Sequence, residues 1–290
     1  MIKFVLGIGL LTDPSHAVPL AVEAEKAGFD ALQVGDSLFY PKHSDSKYPY
    51  YETDRSFLEN IPFIEPVVLL TAMATATRRI VLYPSVLKLT SRHPVLTAKH
   101  FSSLAVISSN RILLGVGITP WKEDLTYMGI PWEGRGRRMD ECIAIIRGLM
   151  TGEYFGFEGE FYQFGELKMK PVPTAPLPII VGGHAEVALR RAARLGDGWT
   201  SAGSSWEDLA RMLKQLGELR REYGKANEPF QIHAGAPDLN HVDTFRRLED
   251  AGVTHGVASA WNVYETPPTL EAKLEAVRRL GGEVIAKYRR

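Results

Sequence analysis

Short apolar runs alternate along the chain with longer segments that have the spacing of amphipathic helices. Eight such runs occur: "IKFVLGIGL", "FDALQVGD", "RIVLYPSVL", "RILLGVGI", "PIIVGG", "DGWTSAG", "FQIHAGA" and "VTHGVAS". Buried parallel strands are short and nearly continuous in apolar residues, so these runs predict strands of a parallel sheet. The segments between them, such as "PSHAVPLAVEAEKAG" and "RGRRMDECIAIIRGLMTG", predict the connecting helices.

The number of strand–helix units favours a closed (β/α)8 TIM barrel, which forms one domain over residues 1–290. The alternative is an open doubly wound sheet, which usually has a G-x-G-x-x-G fingerprint after its first strand. Here the first strand ends in "GIGLLTDP", which lacks the third glycine of that fingerprint. Residues 153–177 interrupt the alternation, and "YFGFEGEFYQF" in this excursion predicts a small hairpin.

Charge and composition narrow the class of partner. Lys+Arg and Asp+Glu each number 34, so the formal net charge is zero, which argues against nucleic acid as a partner. Cys142 is the only cysteine, which fits a reducing compartment. The first apolar run does not have the form of a signal peptide, and no run approaches the ~18 apolar residues of a membrane span. We therefore expect a cytoplasmic protein that acts on a small molecule, without a membrane partner.

The carboxyl ends of the predicted strands are poor in acids and bases. A barrel places its active site at these ends. The positions are Gly7, Gly9, Asp36, Ser37, residues 85–88, 115–121, 182–184 and 200–203, His233 and residues 259–261. Asp36 is the only carboxylate directly at a strand end, so we expect no metal site, because metals require several converging ligands. Such a lining suits a large, flat cofactor that carries the reactivity itself.

The stretch "PIIVGGHAEVALRRAARLGDGW" places Gly182 and Gly183 where a buried strand passes into a helix. Backbone N–H groups at the start of a helix carry partial positive charge, and glycines let a phosphate come close to them. A tight strand-to-helix turn would also favour glycine there. Spacing alone leaves both interpretations open.

Several longer segments resemble the bacterial luciferase-like flavin and deazaflavin oxidoreductases over nearly the whole chain. They include "AEKAGFDALQVGDS", "PSVLKLTSRHPVLTAKHFSSLAVISSNRILLGVGI" and "KPVPTAPLPIIVGGHAEVALRRAARLGDGW". The segments "GVGI…PW" and "GIPWEGRGRRMDE" are similar to an actinobacterial subgroup of coenzyme F420-dependent enzymes. The resemblance implies a TIM barrel, a deazaflavin-dependent hydride transfer and a homodimer formed by the early helices.

The resemblance also implies which residues bind the cofactor. The family's ring leans on a bulge after the third strand that is held by a non-prolyl cis peptide, and "YPSVL" places this bond between Ser85 and Val86. The family's phosphate contacts correspond to Gly182-Gly183 and, more loosely, to Arg138. An ion pair with Glu141 on the same predicted helix is the alternative role for Arg138.

Two departures from the family bear on the direction of the reaction. Many deazaflavin members have Asp-His after the second strand, whereas this chain has Asp36 followed by Ser37. The sugar-phosphate dehydrogenase branch has a glutamate after the glycines of the fourth strand, where this chain has Ile118. Oxidation of an alcohol needs a base close to the hydroxyl. The sequence therefore favours reduction of an activated alkene, imine or quinone-like acceptor, with Asp36 as a cofactor-positioning residue.

Loop residues supply the remaining candidates. His43 lies in the irregular segment 37–65, and His93 opens a predicted helix. Both are weak catalytic candidates, and the sequence favours a surface position at the helix cap for His93. Trp121 and Trp132 either wall a pocket or pack the loops. Lys88, just beyond the bulge, either meets an anionic group or reaches solvent.

Two other functions stay open at this point. An FMN-dependent monooxygenase would bind a similar ring in a similar place and would activate oxygen. A cofactor-binding protein without turnover would also explain the scarcity of acids and bases at the strand ends.

Overall fold

A computed structural model describes residues 1–11, 13–48, 55–236, 241–262 and 269–290. The strands are β1 Lys3–Gly7, β2 Ala31–Val34, β3 Val81–Pro84, β4 Leu87–Lys88, β5 Leu114–Gly117, β6 Phe155–Glu158, β7 Gln163–Leu167, β8 Ile179–Gly182, β9 Gly198–Thr200, β10 Gln231–Ala234 and β11 His255–Ala258. The helices are α1 Ala17–Lys26, α2 Pro66–Ala76, α3 Pro94–Ile107, α4 Glu123–Thr126, α5 Arg135–Met150, α6 Glu186–Leu195, α7 Trp206–Glu222, α8 Val242–Asp250 and α9 Leu270–Leu280. None of these helices combines the length and the apolar character that a membrane crossing requires.

The main sheet is parallel and runs in the order β3-β2-β1-β11-β10-β9-β8-β5-β4. Strand β3 pairs with β2, and β4, which follows it in the chain, pairs with β5. Together β3 and β4 therefore form the third strand, or stave, of the barrel. A parallel bridge between Leu82 and Ile112 joins β3 to the residues just before β5, which is the fourth stave. The (β/α)8 barrel expected from the eight apolar runs is therefore confirmed.

Alternation along the strands divides the apolar residues between two cores. On β1, Phe4 and Leu6 belong to the large core beneath the helices, whereas Val5 belongs to a small cluster inside the barrel. The amphipathic helices complete the outer core: on α8, Phe245 and Leu248 are buried. Both faces of the sheet are thereby covered, which is why the strands read as nearly continuous apolar runs.

The predicted hairpin is present in the excursion that follows α5. Strands β6 and β7 pair in antiparallel fashion, with Glu158 opposite Gln163. The hairpin packs on α5, where a Cβ on Gly148 would come within 2.2 Å of the Phe155 ring. Glu141 on α5 accepts the backbone N–H groups of residues 160–162 and so fixes the hairpin turn.

Two stacked imidazoles lie inside the barrel. The rings of His233 and His255 are parallel within 3°, and their centroids are 4.0 Å apart. His233 Nε2 lies 3.0 Å from Gln231 Oε1, and Nδ1 lies 2.9 Å from the Tyr83 hydroxyl. Because an amide oxygen can only accept, Nε2 carries the hydrogen of the neutral ring, and Nδ1 then accepts from the Tyr83 hydroxyl. Both rings are buried, which disfavours their charged forms.

We predict that acid destabilises the protein through this histidine pair. Burial lowers the pKa of His255 to about 4 and the pKa of His233 well below its usual range, and Lys3 adds a smaller repulsion to both. The unfolded chain therefore binds protons below about pH 6.5 that the folded barrel rejects, and the His255 ring alone removes about 2 kcal/mol from the free energy of unfolding by pH 5. Urea unfolding between pH 5 and 8 measures this slope.

A matched pair of variants assigns the slope to the buried rings. His255→Gln should flatten the loss of stability below pH 6.5, whereas the exposed His100→Gln should leave it unchanged. Equal slopes for the two variants would contradict the assignment.

Candidate active site

A bulge in the third stave crosses the mouth of the barrel. The Ser85–Val86 peptide bond that joins β3 to β4 is cis, as the sequence comparison predicts. The Ser85 N–H donates to the carbonyl oxygen of Val34 at 2.8 Å, and Lys88 is in register with Gly117 on β5. The bulge is therefore held by β2 on one side and by β5 on the other.

Glycines on the neighbouring strands make room for this bulge. A Cβ on Gly117 would lie 2.4 Å from Val86 Cγ2, and a Cβ on Gly182 would lie 2.8 Å from Val86 Cγ1. A Cβ on Gly115 would lie 2.0 Å from the Pro84 carbonyl oxygen. The Val86 side chain thus packs over the adjacent strands β5 and β8, against Gly117 and Gly182.

Asp36 anchors the chain that leaves the bulge. Its carboxylate is fully buried and accepts both Arg92 Nη atoms, each at 2.8 Å, as well as the Lys88 backbone N–H at 2.8 Å. Glu65 is a second partner of Arg92 at 3.2 Å. The Asp36 oxygens are thus occupied by fixed donors, which makes this residue a structural support for the bulge.

A buried ionic cluster lies beside Asp36. Lys88 Nζ is 2.6 Å from Asp124 Oδ2, and Arg55 Nη2 is 2.7 Å from Asp124 Oδ1. Thr119 donates its hydroxyl to Asp124 Oδ2 at 2.7 Å. The side chains of Lys88, Arg55 and Asp124 are only 8%, 2% and 0% exposed. We refer to Arg55, Lys88, Thr119 and Asp124 as the Lys88 cluster.

The Lys88 cluster joins the loop after β2 to the loop after β5. Tyr48 stacks on the buried Trp121 with ring centroids 5.7 Å apart, and the Arg55 guanidinium lies 5.1 Å from the Trp121 ring centre. Trp121 therefore packs the two loops together. Residues 49–54 of the segment 37–65 lie outside the described residues.

The glycine pair lies one turn further from the helix than the sequence suggests. Gly182 is the last residue of β8, but α6 begins only at Glu186, with Ala185 as its N-cap and no side-chain cap hydrogen bond. Gly183 has a φ of 126°, which favours glycine whatever the surroundings. The expectation that these glycines begin the helix is wrong, because His184 and Ala185 lie between Gly183 and the first residue of α6.

This loop packs against the loop after β9. His184 Nε2 accepts the Ala202 N–H at 3.0 Å and lies 3.2 Å from the Ser201 hydroxyl; burial lowers the pKa of His184. Nearby in the chain, the Ser204 hydroxyl is buried and has no hydrogen-bond partner within the described part of the chain. Ser204 lies between β9 and the start of α7, and an unpaired buried hydroxyl at this place is a candidate donor to a ligand oxygen.

Arg138 does not pair with Glu141. The Glu141 carboxylate is occupied by the hairpin turn, and the Arg138 guanidinium lies 4.3 Å from the Phe161 ring centre. Its Nε atom is buried and finds no acceptor among the residues described. The ion-pair alternative is therefore wrong, because the hairpin excursion supplies better partners to both residues.

Three of the remaining candidates, His43, His93 and Trp132, take no part in the bulge contacts described above. His43 and His93 are both exposed, and His93 meets the hairpin residue Tyr162 edge-on at 5.6 Å. Trp132 is covered by the Arg135 guanidinium at 3.7 Å. Lys88 is buried and does not reach solvent. Its ammonium group forms an ion pair with Asp124.

Sequence reasoning missed Arg55, Asp124 and Ser204. None of these lies directly at the end of a strand, and their partners are distant in the chain: 69 residues separate Arg55 from Asp124. No group of three histidine, cysteine or carboxylate side chains in the described ranges is arranged to hold a metal.

Comparison with known proteins identifies a family whose model matches this chain. The model of the luciferase-like monooxygenase family matches residues 5–238. The chain is 46% identical over 281 residues to the uncharacterized protein Rv0940c of Mycobacterium tuberculosis, covering 96% of this chain and 97% of that one. It is 28% identical to an F420-dependent glucose-6-phosphate dehydrogenase of Amycolatopsis mediterranei, covering 90% and 84%.

A solved structure agrees with the fold. The coenzyme F420-dependent tetrahydromethanopterin reductase from Methanopyrus kandleri superposes with a TM-score of 0.78 at 18% identity, covering 99% of both chains. The family model covers residues 5–238, and the cis bond at Ser85–Val86 divides the third strand of the barrel. This protein therefore belongs to the luciferase-like monooxygenase family.

Proposed function

We propose that this protein is a coenzyme F420-dependent oxidoreductase that works in the direction of substrate reduction. The observation that carries the proposal is the bulge at Ser85–Val86, where the Val86 side chain packs on Gly117 and Gly182 at the carboxyl ends of β5 and β8. Relatives named as F420-dependent enzymes support the choice of cofactor. A deazaflavin supplies hydride transfer and activates oxygen poorly, so its binding would make the protein a hydride-transfer enzyme.

The chain offers a consistent set of groups for such a cofactor. Ser85 and Val86 would support the ring, and Asp36 would hold that support in place through Arg92 and the Lys88 backbone. The Gly183 loop, the uncapped start of α6 and the orphaned Ser204 hydroxyl would bind the phosphate. Arg138 is a looser candidate for the phosphate, with its Nε free of an acceptor among the described residues.

The proposed direction of the reaction follows from the hydrogen bonds that occupy the Asp36 carboxylate. Removing a proton from an alcohol needs a placed base. Asp36 is buried and bound by a bidentate Arg92, so it has no oxygen to spare, and the neighbouring strand-end residues Ser37 and Ile118 are not bases. Reduction takes its hydride from the reduced cofactor and its proton from solvent, so it does not need a base placed beside the substrate.

An FMN-dependent monooxygenase is the second candidate. The family model that matches the chain is that of luciferase-like monooxygenases, which favours a flavin in the same place. The two candidates differ in a measurable property, because only the flavin enzyme should consume oxygen when reduced.

Cofactor binding is the first test. Fluorescence titration should give a tight complex with F420 and a weaker one with FMN. Ser204→Ala should weaken F420 binding by about 10- to 100-fold without lowering stability, since it removes a hydroxyl donor to a charged phosphate. Phosphate-free deazaflavin should bind the wild type and this variant equally.

Ser205→Ala is the matched control. Ser205 caps α7 by accepting the Asp208 N–H, so this variant should lose stability but keep its affinity for F420. Equal affinities for the wild type and Ser204→Ala would remove Ser204 from the phosphate site. Tighter binding of FMN, with oxygen consumption, would favour the monooxygenase.

The direction is tested with paired assays. Reduced F420 with a panel of enones and imines should be oxidised, whereas oxidised F420 with alcohols and sugar phosphates should stay oxidised. Efficient alcohol oxidation without reductive turnover would contradict the proposed direction, and it would return His43 and His93 to consideration as bases.

We also propose that the protein is a homodimer joined through α2 and α3. Both helices have apolar residues on their outer sides: Val68 is 64%, Leu96 54% and Ile107 51% exposed. An apolar patch that spans neighbouring helices usually marks an interface.

Sedimentation velocity tests the dimer. The wild type should sediment as a dimer, and the double variant Val68→Asp/Leu96→Asp as a monomer, because two buried charges per subunit oppose association. Val187 on α6 is equally exposed at 67%, so Val187→Asp serves as the control and should remain dimeric. A monomeric wild type would exclude the interface.

A further inference from the structure

A polar side chain, that of Gln33, faces the interior of the barrel near the end of β2. Ala31 belongs to the apolar cluster inside the barrel, whereas Leu32 and Val34 belong to the outer core. Because side chains alternate along a strand, Gln33 points inwards, on the same face as Ala31. Gln33 is the last residue but one of β2, so it lies close to the carboxyl end of the strand, where a barrel has its active site.

The accessible surface of the Gln33 side chain opens towards the barrel mouth. The inward-facing Val5 and Tyr83, on the strands to either side, are fully buried, and so is Leu32 on the outer face of β2. Gln33 itself is half-buried, so the surface that it retains belongs to the mouth. Its register partner on β1 is Gly7, where an added Cβ would lie 3.3 Å from Gln33 Nε2. The absence of a side chain on Gly7 leaves this space to the Gln33 amide.

Gln33 also adjoins the strand that carries the bulge. Its register partner on β3 is Tyr83, and the Ser85 N–H donates to the carbonyl oxygen of Val34, the next residue of β2. The bulge at Ser85–Val86 therefore begins two residues beyond the point at which β3 meets Gln33. The Gln33 side chain and the proposed support of the cofactor ring thus share one corner of the barrel mouth.

The oxygen of the Gln33 amide is unsatisfied. Oε1 is buried and has no hydrogen-bond partner among the residues that the structure describes. Buried polar atoms nearly always have a partner, and an orphaned one costs stability. The terminal torsion of a glutamine is broad, so rotation about it turns either end of the amide towards the mouth. A ligand that offers both a donor and an acceptor would satisfy the whole amide.

We propose that Gln33 binds the imide edge of the cofactor ring, with Oε1 accepting a ring N–H and Nε2 donating to the adjacent ring carbonyl. The proposal rests on the function proposed above, which brings a flat ring to this mouth. Flavins and deazaflavins share this edge, since both rings end in a pyrimidinedione whose N–H lies between two carbonyl groups. The contact therefore applies to either candidate cofactor, and it selects rings whose imide nitrogen carries a hydrogen.

Lumiflavin, an isoalloxazine without a phosphate or a tail, tests the ring contact alone. Gln33→Met keeps the length of the side chain but removes both hydrogen-bonding groups. In a fluorescence titration this variant should bind lumiflavin about 10-fold more weakly than the wild type does. Equal affinities of the two proteins for lumiflavin would overturn the proposal.

Methylation of the ligand gives the matching half of this test. 3-Methyllumiflavin lacks the imide hydrogen, so it should bind the wild type about 10-fold more weakly than lumiflavin does, and it should bind Gln33→Met with that same low affinity. A variant that loses affinity for both ligands by the same factor would show an effect of shape rather than of hydrogen bonding, and it would overturn the proposal.

Thermal unfolding without ligand tests the cost of the unsatisfied oxygen. Gln33→Met should raise Tm by about 2–4 °C, because methionine fills the same space and leaves no buried acceptor unpaired. Gln163→Met, on the exposed side of the hairpin strand β7, is the matched control and should change neither Tm nor the affinity for lumiflavin. A lower Tm for Gln33→Met would make Gln33 a structural residue and would overturn the proposal.

The same titrations separate this proposal from the proposed function. Ser204→Ala, which concerns the phosphate, should leave the affinity for lumiflavin unchanged, whereas Gln33→Met should weaken F420 and lumiflavin by the same factor. A wild type that binds lumiflavin and FMN but not F420 would contradict the F420-dependent function, and the comparison with Gln33→Met would still decide the role of Gln33. A wild type that does not bind lumiflavin at millimolar concentration would overturn the role of Gln33.

Discussion

The contact on which this barrel mouth depends is that of the Val86 side chain with Gly117 and Gly182. The bulge turns Val86 into the barrel, and any Cβ on either glycine would lie within 2.8 Å of its methyl groups. Gly115 meets the Pro84 carbonyl in the same way. Three glycines on two strands are thus explained by one bend in a third strand, and the same bend moves the chain from pairing with β2 to pairing with β5.

Buried ion pairs and a backbone hydrogen bond hold this bend in place. Asp36 binds the Lys88 N–H and the Arg92 guanidinium, and Asp124 binds Lys88 and Arg55. Buried carboxylates that each face two donors are well satisfied, whereas the loss of one partner leaves a charge uncompensated in the interior. The bulge, the loop after β2 and the loop after β5 are therefore coupled, so a substitution at Asp124 is expected to affect all three.

The glycine pair after β8 shows how one pattern can have several causes. The sequence leaves phosphate binding and a tight turn open for Gly182-Gly183. In the structure, Gly182 is required because a Cβ there would collide with the Val86 side chain. Gly183 is required because its φ is 126°. Neither reason excludes a phosphate, but the orphaned hydroxyl of Ser204 is the more specific sign of one, because a turn does not require it.

The sequence by itself determined the eight-unit barrel, the hairpin after α5 and the place of the cis bond. The barrel and the hairpin follow from local periodicity, and the place of the cis bond follows from the resemblance of a short motif to a known family; both depend on residues close together in the chain. Only the tertiary structure decided that Asp36 is sealed by Arg92, that Glu141 serves the hairpin rather than Arg138, and that Lys88 meets Asp124 and Arg55. Those pairings join residues on different loops, and a one-dimensional pattern carries no information on which charged side chains the closure of the barrel brings together.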